Sequence, residues 1–186
     1  MMKVAVIGGI GSGKSQVMLA FEKVGYTVLS ADKINGELWQ SEDYLNTLKT
    51  NFPEAVEDGV ITKQSLSRVV FADEGKRELL NSISHPLILD RIKKDNSALL
   101  AVELPLAVES GMLDEFDHVV LVDTKKRLRL KRLEGRGVDK KRAKKIMSVQ
   151  VPIKELKRWS DVILVNNGTV DDIEKKAIFI AEALAL

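Results

Sequence analysis

The sequence has no cysteine among its 186 residues, and this absence removes two kinds of chemistry. A chain without thiols forms no disulfides and has no thiolate to act as a nucleophile or metal ligand. Histidine is almost as scarce, and the two residues present do not fall into a metal-binding cluster. Disulfide and thiolate chemistry is therefore excluded.

Long apolar runs are also missing from the sequence. No stretch is long enough to span a bilayer, and the apolar run ahead of the first glycines is too short for the core of a signal peptide. We therefore expect a cytoplasmic enzyme or binding protein with no membrane partner.

What the sequence does contain is the composition of an ordinary globular protein. Hydrophobic residues make up 45% and charged residues 30% of the chain, unlike the compositions typical of disordered proteins. A length of 186 residues fits one domain with a smaller inserted lobe.

Positive charge is concentrated in one segment, although the formal net charge is only +2. Residues 125–145 hold 12 of the 29 lysines and arginines but only 2 of the 27 acidic residues. A nucleic-acid binder usually spreads its basic charge over a face or several elements. A local site for a compact anion is favoured over nucleic-acid binding, and a solvated helix face is the simpler alternative for Lys140, Lys141, Lys144 and Lys145.

The hydrophobic pattern predicts an α/β fold built on a parallel sheet. A β-branched run ends at Gly8, helical spacing follows to about Lys23, and a second strand covers residues 26–30, which is a βαβ unit. Further strands are expected at residues 98–106, 118–123 and 161–168. Residues 31–96 show helical spacing and no buried-strand pattern, with a break between two helices at His85-Pro86, so we expect a helical insertion there.

The stretch between the first strand and the first helix has the spacing G-x-x-x-x-G-K-[ST], formed by Gly8, Gly13, Lys14 and Ser15. Glycines let consecutive backbone N–H groups converge on phosphate oxygens, and the following helix adds its positive end. Lys14 would reach the β- and γ-phosphates, and Ser15 would offer its hydroxyl to Mg²⁺. The motif in this context predicts a nucleoside triphosphate site.

A magnesium site usually has an acidic anchor at the end of a neighbouring strand. Glu103 lies near the end of the predicted strand 98–106, where an unpaired carboxylate would be costly to bury. Asp123, at the end of the following strand, is the weaker candidate. A solvent-facing role for Glu103 is the alternative.

Asp32 directly follows the second predicted strand, at the edge where parallel sheets gather their ligands. A carboxylate there can accept the proton of an attacking hydroxyl in phosphoryl transfer. From its spacing alone, Asp32 could equally be the cap of the helix that follows.

Three arginines, Arg129, Arg132 and Arg136, are spaced for one helix face if the helix persists that far. Guanidinium groups on that face could bind phosphate oxygens as charge spreads in the transition state. Glycines on either side of Arg136 would let it move with a lid. The alternative for Arg132 and Arg136 is a solvated basic face.

Taken in order, these residues resemble the dephospho-coenzyme A kinase family. The matching stretches are "GGIGSGKS", "SADKI", "DG" at Asp58-Gly59, "LNSISHPLI", "VELPLAVESG", "LKRLEGRG", "SVQ" and "DVILVNNGT". This sequence departs from the family pattern at three places. Gln16 stands where threonine is usual, Ser30 where aspartate is usual, and Asn35-Gly36 where Ala-Arg is usual.

The resemblance implies transfer of the ATP γ-phosphoryl group to the ribose 3′-hydroxyl of dephospho-coenzyme A, the last step of coenzyme A synthesis. It implies a P-loop kinase core (residues 1–30, 97–134 and 151–186) with a five-stranded parallel sheet flanked by helices, a helical CoA-binding lobe (31–96) and a lid (135–150). ATP and Mg²⁺ are the implied donor and metal.

The resemblance also assigns roles to residues of this chain. Asp32 is the implied base, Glu103 the acid before the Pro-Leu stretch, His85 and Pro86 shape the acceptor site, and Arg132 and Arg136 belong to the lid. The implied ATP-binding residues are Gly8, Gly11, Ser12, Gly13, Lys14, Ser15 and Gln16, with Asn167 and Gly168 near the adenine.

Three competing functions remain at this stage. A P-loop kinase of this size could phosphorylate another small metabolite, such as a nucleoside monophosphate or a shikimate-like alcohol. A nucleotide switch would normally carry N-K-x-D and D-x-x-G motifs, and the sequence has neither. A nucleic-acid binder using residues 125–145 would bind with strong salt dependence, but the acidic remainder of the chain disfavours it. The sequence leaves the oligomeric state open.

Overall fold

The β-branched run before the first glycines forms the central strand of a five-stranded parallel sheet in the computed structural model, which describes residues 1–105 and 111–186. The strands are β1 (Met2–Ile7), β2 (Thr27–Ser30), β3 (Val56–Glu57), β4 (Val60–Ile61), β5 (Leu99–Glu103), β6 (His118–Asp123) and β7 (Val162–Val165). The sheet has the order β2-β5-β1-β6-β7, and every neighbouring pair is parallel. The predicted α/β class with five parallel strands is confirmed.

Helices connect these strands. In the described residues they are α1 (Lys14–Lys23), α2 (Ala31–Leu38), α3 (Glu42–Asn51), α4 (Lys63–Ala72), α5 (Glu74–Lys93), α6 (Lys126–Glu134), α7 (Lys140–Ser148), α8 (Ile153–Leu156) and α9 (Val170–Leu184), with 3₁₀ turns at Pro53–Ala55, Leu113–Glu115 and Lys157–Trp159. Within the described ranges, no helix is both long and apolar enough to cross a membrane.

The chain divides into two compact units, one formed by residues 1–31 and 95–186 and the other by residues 32–94. The first unit contains the parallel sheet. Val4, Val6, Val120 and Val122 of its central strands are fully buried with Phe21 of α1. This packing fixes the carboxyl ends of the strands, which is the edge where open parallel sheets bind their ligands.

The second unit is helical, with its own core around Leu48, Phe52 and Leu66. It also contains two short antiparallel strands, β3 and β4, which the sequence did not predict. Asp58 and Gly59 connect them with φ angles of 49° and 77°, and Asp-Gly is the pair that a two-residue hairpin turn favours. Each strand has only two residues, too few for a recognisable alternating pattern.

The predicted break at His85-Pro86 is wrong, because α5 continues through Pro86 without interruption. Proline removes one N–H donor from a helix, but the buried residues of α5 lie at Ser84, Ile88 and Ile92, one turn apart on both sides of the proline. This buried stripe holds the helix together across Pro86.

The basic helix ends earlier than a face containing all three arginines would require. Helix α6 stops at Glu134, and the Val138 N–H bonds the Leu133 carbonyl 3.0 Å away. Arg136 is therefore an exposed residue of the following turn, whose glycine, Gly137, has a φ of 78°. The four outlying lysines are exposed, as in a solvated face.

Candidate active site

The glycine loop between β1 and α1 has a backbone that only glycine adopts easily. Gly8, Gly11 and Gly13 have φ angles of 147°, 75° and 99°, in the region that L side chains rarely occupy. A Cβ atom on Gly8 would lie 2.7 Å from the Val122 carbonyl oxygen, and one on Gly13 would overlap the Asn166 amide. Both space and dihedral angle therefore require glycine here.

Lys14 is the first residue of α1, and its side chain turns back over the loop. The buried ammonium donates a hydrogen bond to the Gly8 carbonyl at 2.9 Å and lies 3.8 Å from Glu103 Oε1. Glu103 ends strand β5, where it pairs in register with Val6 on one side and Ser30 on the other. The sheet therefore brings the predicted lysine and the predicted carboxylate together.

Three side chains from distant parts of the sequence bind one carbonyl of the loop. The Ser12 backbone carbonyl oxygen accepts hydrogen bonds from Asn166 Nδ2 at 2.7 Å, Thr124 Oγ1 at 2.9 Å and Arg132 Nη1 at 3.1 Å. Asn166 and Thr124 are themselves buried. Arg132 also donates to Asn166 Oδ1 at 3.2 Å, and Thr124 Oγ1 to the Asn166 carbonyl at 3.1 Å, which links the three donors into one network.

A second network holds the Ile10 peptide. Buried Arg129 donates through Nε to the Ile10 carbonyl at 2.8 Å and through Nη2 to Gln150 Oε1 at 2.9 Å. The same Gln150 oxygen accepts the Ile10 N–H at 3.0 Å. A Cβ atom on Gly9 would overlap the Arg129 guanidinium, so the glycine there makes room for the arginine.

These two networks decide which way the loop amides face. In a trans peptide the carbonyl of one residue and the N–H of the next point in opposite directions. Because the Ile10 and Ser12 carbonyls bind protein groups, the N–H groups of Gly11 and Gly13 point away from those groups. Backbone N–H groups of such a loop are the donors that bind anions.

The two loop-binding arginines are in different environments from a solvated arginine. Burial lowers the pKa of Arg129, while the nearby Asp123 carboxylate opposes this shift. Burial also lowers the pKa of Arg132, and the positive charge of Arg136 lowers it further. Since arginine keeps its proton in proteins, both remain fixed positive charges beside the loop.

The residues available for a metal are hard oxygen donors, which suit Mg²⁺. Ser15 is exposed in the first turn of α1, and Glu103 is half-buried beside Lys14. The weaker candidate, Asp123, is bound by Lys157 at 2.8 Å. Among the described residues no three His, Asp or Glu side chains cluster as a metal site.

Asp32 belongs to the second unit and lies inside the first turn of α2, which begins at Ala31. It is therefore not the N-cap of that helix. Its exposed side chain borders a cavity of about 290 Å³ whose wall, in the described residues, includes Ser84 but neither His85 nor Pro86. His85 is half-buried, and this burial lowers its pKa; Pro86 is exposed.

The turn after β7 places the two neighbouring asparagines differently. Asn166 binds the loop, whereas the Asn167 side-chain oxygen accepts the Lys125 N–H at 2.9 Å. Gly168 has no room for a Cβ atom, which would lie 2.5 Å from Asp172 Oδ2. Gln16 continues α1, donating its N–H to the Gly13 carbonyl at 3.0 Å.

The sequence did not predict the residues whose side chains bind the backbone of the loop. Asn166, Thr124 and Gln150 were not among the candidates, and Arg129 was placed with the phosphate-binding arginines although it binds the loop backbone. The stretches "SVQ" and "NNG" contained two of them, but the loop residues that they bind, Ile10 and Ser12, lie 140 and 154 positions away. The "VELPLAVESG" stretch includes residues 106–110, which lie outside the described residues.

Comparison with known proteins agrees with this geometry. The family model described as dephospho-CoA kinase matches residues 2–172. The dephospho-CoA kinase of Corynebacterium glutamicum is 34% identical over 185 residues, covering 94% of this chain and 95% of that protein.

Two solved structures are similar over almost the full length. A Thermus thermophilus protein superposes with a TM-score of 0.84 at 26% identity, covering 98% of this chain and 97% of that one. The dephospho-CoA kinase from Campylobacter jejuni has a TM-score of 0.71 at 25% identity, covering 98% and 96%. Because the family model matches residues 2–172, which is most of the chain's length, the chain belongs to the dephospho-CoA kinase family.

Proposed function

We propose that this protein transfers the γ-phosphoryl group of ATP to the ribose 3′-hydroxyl of dephospho-CoA. Family membership supports ATP-dependent phosphorylation of dephospho-CoA in CoA biosynthesis. The observation that carries the proposal is the loop held by Arg129, Arg132 and Asn166, with its amides turned to the opposite side. We place the enzyme in the cytoplasm, acting on a small molecule.

The donor side of the reaction would use groups that the fold already orients. The amides of Gly11 and Gly13 would bind the phosphate oxygens, and Lys14 would exchange its bond to the Gly8 carbonyl for the β- and γ-phosphates. Ser12, Ser15 and Gln16 complete this ATP-binding segment, with Asn167 and Gly168 near the adenine. Positive groups fixed before the reaction stabilise developing charge without reorganising.

Ser15 and Glu103 would hold the magnesium ion, which when bound neutralises charge on the β- and γ-phosphate oxygens. In the structure, Glu103 faces the Lys14 ammonium at 3.8 Å. This contact gives the half-buried carboxylate an opposite charge beside it.

The acceptor side would depend on Asp32. We propose that its carboxylate orients the 3′-hydroxyl and accepts its proton as the oxygen attacks the γ-phosphorus in line, so that ADP leaves in a single step without a phosphorylated enzyme. The helical residues 31–96 would bind the acceptor, with His85 and Pro86 shaping its site.

The lid would be the segment 135–150. Arg132 already touches the loop through Ser12, and exposed Arg136 would move in with the lid to bind the transferred group. Closure of the lid would exclude water, so hydrolysis of ATP without acceptor should be slow.

The direct test is an assay with ATP, Mg²⁺ and dephospho-CoA, in which the product is identified by mass and its phosphate position by fragmentation. A panel with nucleoside monophosphates and shikimate tests the alternative acceptors. Lys14→Met should abolish turnover, while Lys175→Met, an exposed lysine of α9, should keep it. Preference for another acceptor, or no 3′-phosphate product, would contradict the proposal.

A further inference from the structure

One face of helix α2 lines the cavity of about 290 Å³ in the second unit. Asp32, Asn35, Gly36 and Trp39 all border it, and their spacing of i, i+3, i+4 and i+7 places them along one side of a helix. Gly36 lies in open space, since a Cβ atom built on it meets no atom within 4 Å. The cavity therefore begins at the proposed base and extends along α2.

Asn35 carries a polar atom that the protein leaves unpaired. Its Oδ1 is buried and has no hydrogen-bond partner. Buried polar atoms are nearly always paired, and an exception needs an explanation. Because the terminal torsion of asparagine turns over a broad range, the amide can present both its oxygen and its NH₂ group to a ligand in the cavity.

Three other polar side chains of the wall already make contacts with the protein. The Tyr44 and Ser84 hydroxyls bond each other at 2.9 Å. Lys63 Nζ lies 5.7 Å from the centroid of the Trp39 ring, close enough for a cation–π contact. Among the wall residues that the structure describes, Asn35 is the one whose side-chain oxygen is both buried and without a hydrogen-bond partner.

Aromatic surface faces the same cavity. The Trp39 ring is held edge-on to Tyr44, with 6.2 Å between the ring centroids. Phe71 also borders the cavity and is 81% exposed. Flat ligands with π faces stack on such rings, and Lys63 adds a positive charge beside them.

We propose that this cavity binds the adenine ring of the acceptor and that Asn35 reads its edge. An asparagine amide matches adenine in both directions, because its oxygen accepts from the 6-amino group and its NH₂ donates to a ring nitrogen. Trp39 supplies the stacking face, and Lys63 the charge for the acceptor's diphosphate. The inference rests on the proposed function, in which Asp32 meets the ribose attached to this base.

The first experiment compares dephospho-CoA with its hypoxanthine counterpart, in which an oxygen replaces the 6-amino group. The native enzyme should prefer adenine by about 5- to 150-fold in kcat/KM, the range of a two-bond contact. Asn35→Ala should bring the two acceptors within about twofold of each other, because the reading contact is gone. Asn46→Ala, an exposed asparagine of α3, is the matched control and should keep the preference.

The outcomes separate this inference from the proposed function. If dephospho-CoA gives no product at all, the proposed function fails. If dephospho-CoA is phosphorylated but the native enzyme uses both acceptors equally, or Asn35→Ala keeps the preference, the adenine site is overturned while the function stands. Alanine is a good helix residue, so Asn35→Ala should fold, which a thermal melt checks.

A second measurement asks which part of the acceptor occupies the cavity, without using activity. In a Trp159→Phe background, Trp39 is the one remaining tryptophan. AMP should change its emission and 4′-phosphopantetheine should not, and Gly36→Leu, which fills the space beside α2, should abolish the AMP response. A response to 4′-phosphopantetheine instead, or to neither probe, overturns the proposal.

Discussion

The phosphate loop and the cavity of the second unit differ in which of their oxygen atoms the protein binds. In the loop, the carbonyls of Ile10 and Ser12 are bound by four side chains from elsewhere in the sequence. In the cavity, Asn35 keeps a buried oxygen without a partner, and Phe71 is largely exposed. The loop has its backbone carbonyls held by the protein, although the buried Ser12 Oγ has no partner, and the cavity has an unpaired side-chain oxygen to offer a ligand.

This difference matches what the two substrates require. A triphosphate is bound mostly through charge and amides that must not reorganise during transfer, so a fixed loop is favoured. An acceptor must be distinguished from similar molecules, and a site with an unpaired polar group rejects ligands that cannot bond it. The following variants test the comparison.

Asp32→Asn would separate the two sites most clearly. We expect kcat to fall by about 10²–10⁴-fold, because the acceptor hydroxyl loses its base, while ATP affinity changes by less than about twofold. Single-turnover kinetics and nucleotide titration measure the two effects. Asp43→Asn, on the surface of α3, is the control; near-normal turnover of Asp32→Asn would show that another group takes the proton.

Arg129→Lys tests whether the loop depends on the hydrogen bonds that Arg129 donates to the Ile10 carbonyl and to Gln150. Lysine cannot bond both the Ile10 carbonyl and the Gln150 oxygen with a planar fork, and an unpaired buried acceptor costs about 1–3 kcal/mol. We expect the free energy of unfolding in urea to fall by that amount and ATP affinity to fall with it. Arg127→Lys, exposed on the same helix, should change neither; equal behaviour of the two variants would argue against the supporting role.

Gly13→Ala tests the same support at another point of the loop, because it displaces Asn166. A methyl group at this position overlaps Asn166, which binds Ser12, so ATP affinity should fall roughly 5- to 30-fold, equivalent to 1–2 kcal/mol. Gly25→Ala is the matched control, because Gly25 has a similar φ of 101° but no atom within 4 Å of the added carbon. It should lower stability without affecting ATP binding. If Gly13→Ala and Gly25→Ala had similar ATP affinities, displacement of Asn166 would not matter for ATP binding.

His85→Gln should have the smallest effect, confined to the second unit. Burial lowers the pKa of His85 in the folded protein, so as the pH falls below about 6.5 the unfolded chain takes up the proton first. Stability contributed by the neutral side chain is therefore present above that pH and lost as the pH falls through the folded pKa. We expect the free energy of unfolding, measured in urea between about pH 7 and pH 5, to change less with pH in His85→Gln than in the native protein. An equal dependence on pH would mean that other groups cause the acid sensitivity.

Local patterns in the sequence predicted the elements of the fold well where the pattern was long. The five strands and the helix after the glycine loop follow from apolar runs and glycine positions. One prediction failed because packing outweighed a local signal: the buried stripe of α5 carries the helix through Pro86. The sequence predicts a shared face for the three arginines only if the helix persists, and α6 ends at Glu134, before Arg136.

The candidate site was only partly visible for a related reason. Lys14 and Glu103 were each predicted as site residues, and they meet because the ends of parallel strands lie at one edge of a sheet. Asn35 was noticed only as a difference from the usual family pattern, and nothing in its local sequence indicates a buried oxygen without a partner. Burial and pairing depend on residues far away in the chain, which a single sequence does not place.

The sequence by itself determined the five strands of the parallel sheet, the glycine loop with the helix after it, and the family, because glycine dihedrals, apolar periodicity and motif spacing are local properties of the chain. Only the tertiary structure decided which groups hold that loop. The contacts of Thr124, Arg132 and Asn166 with Ser12 cross 112 to 154 positions. Such contacts exist only after the strands have packed and brought their carboxyl ends to one edge of the sheet.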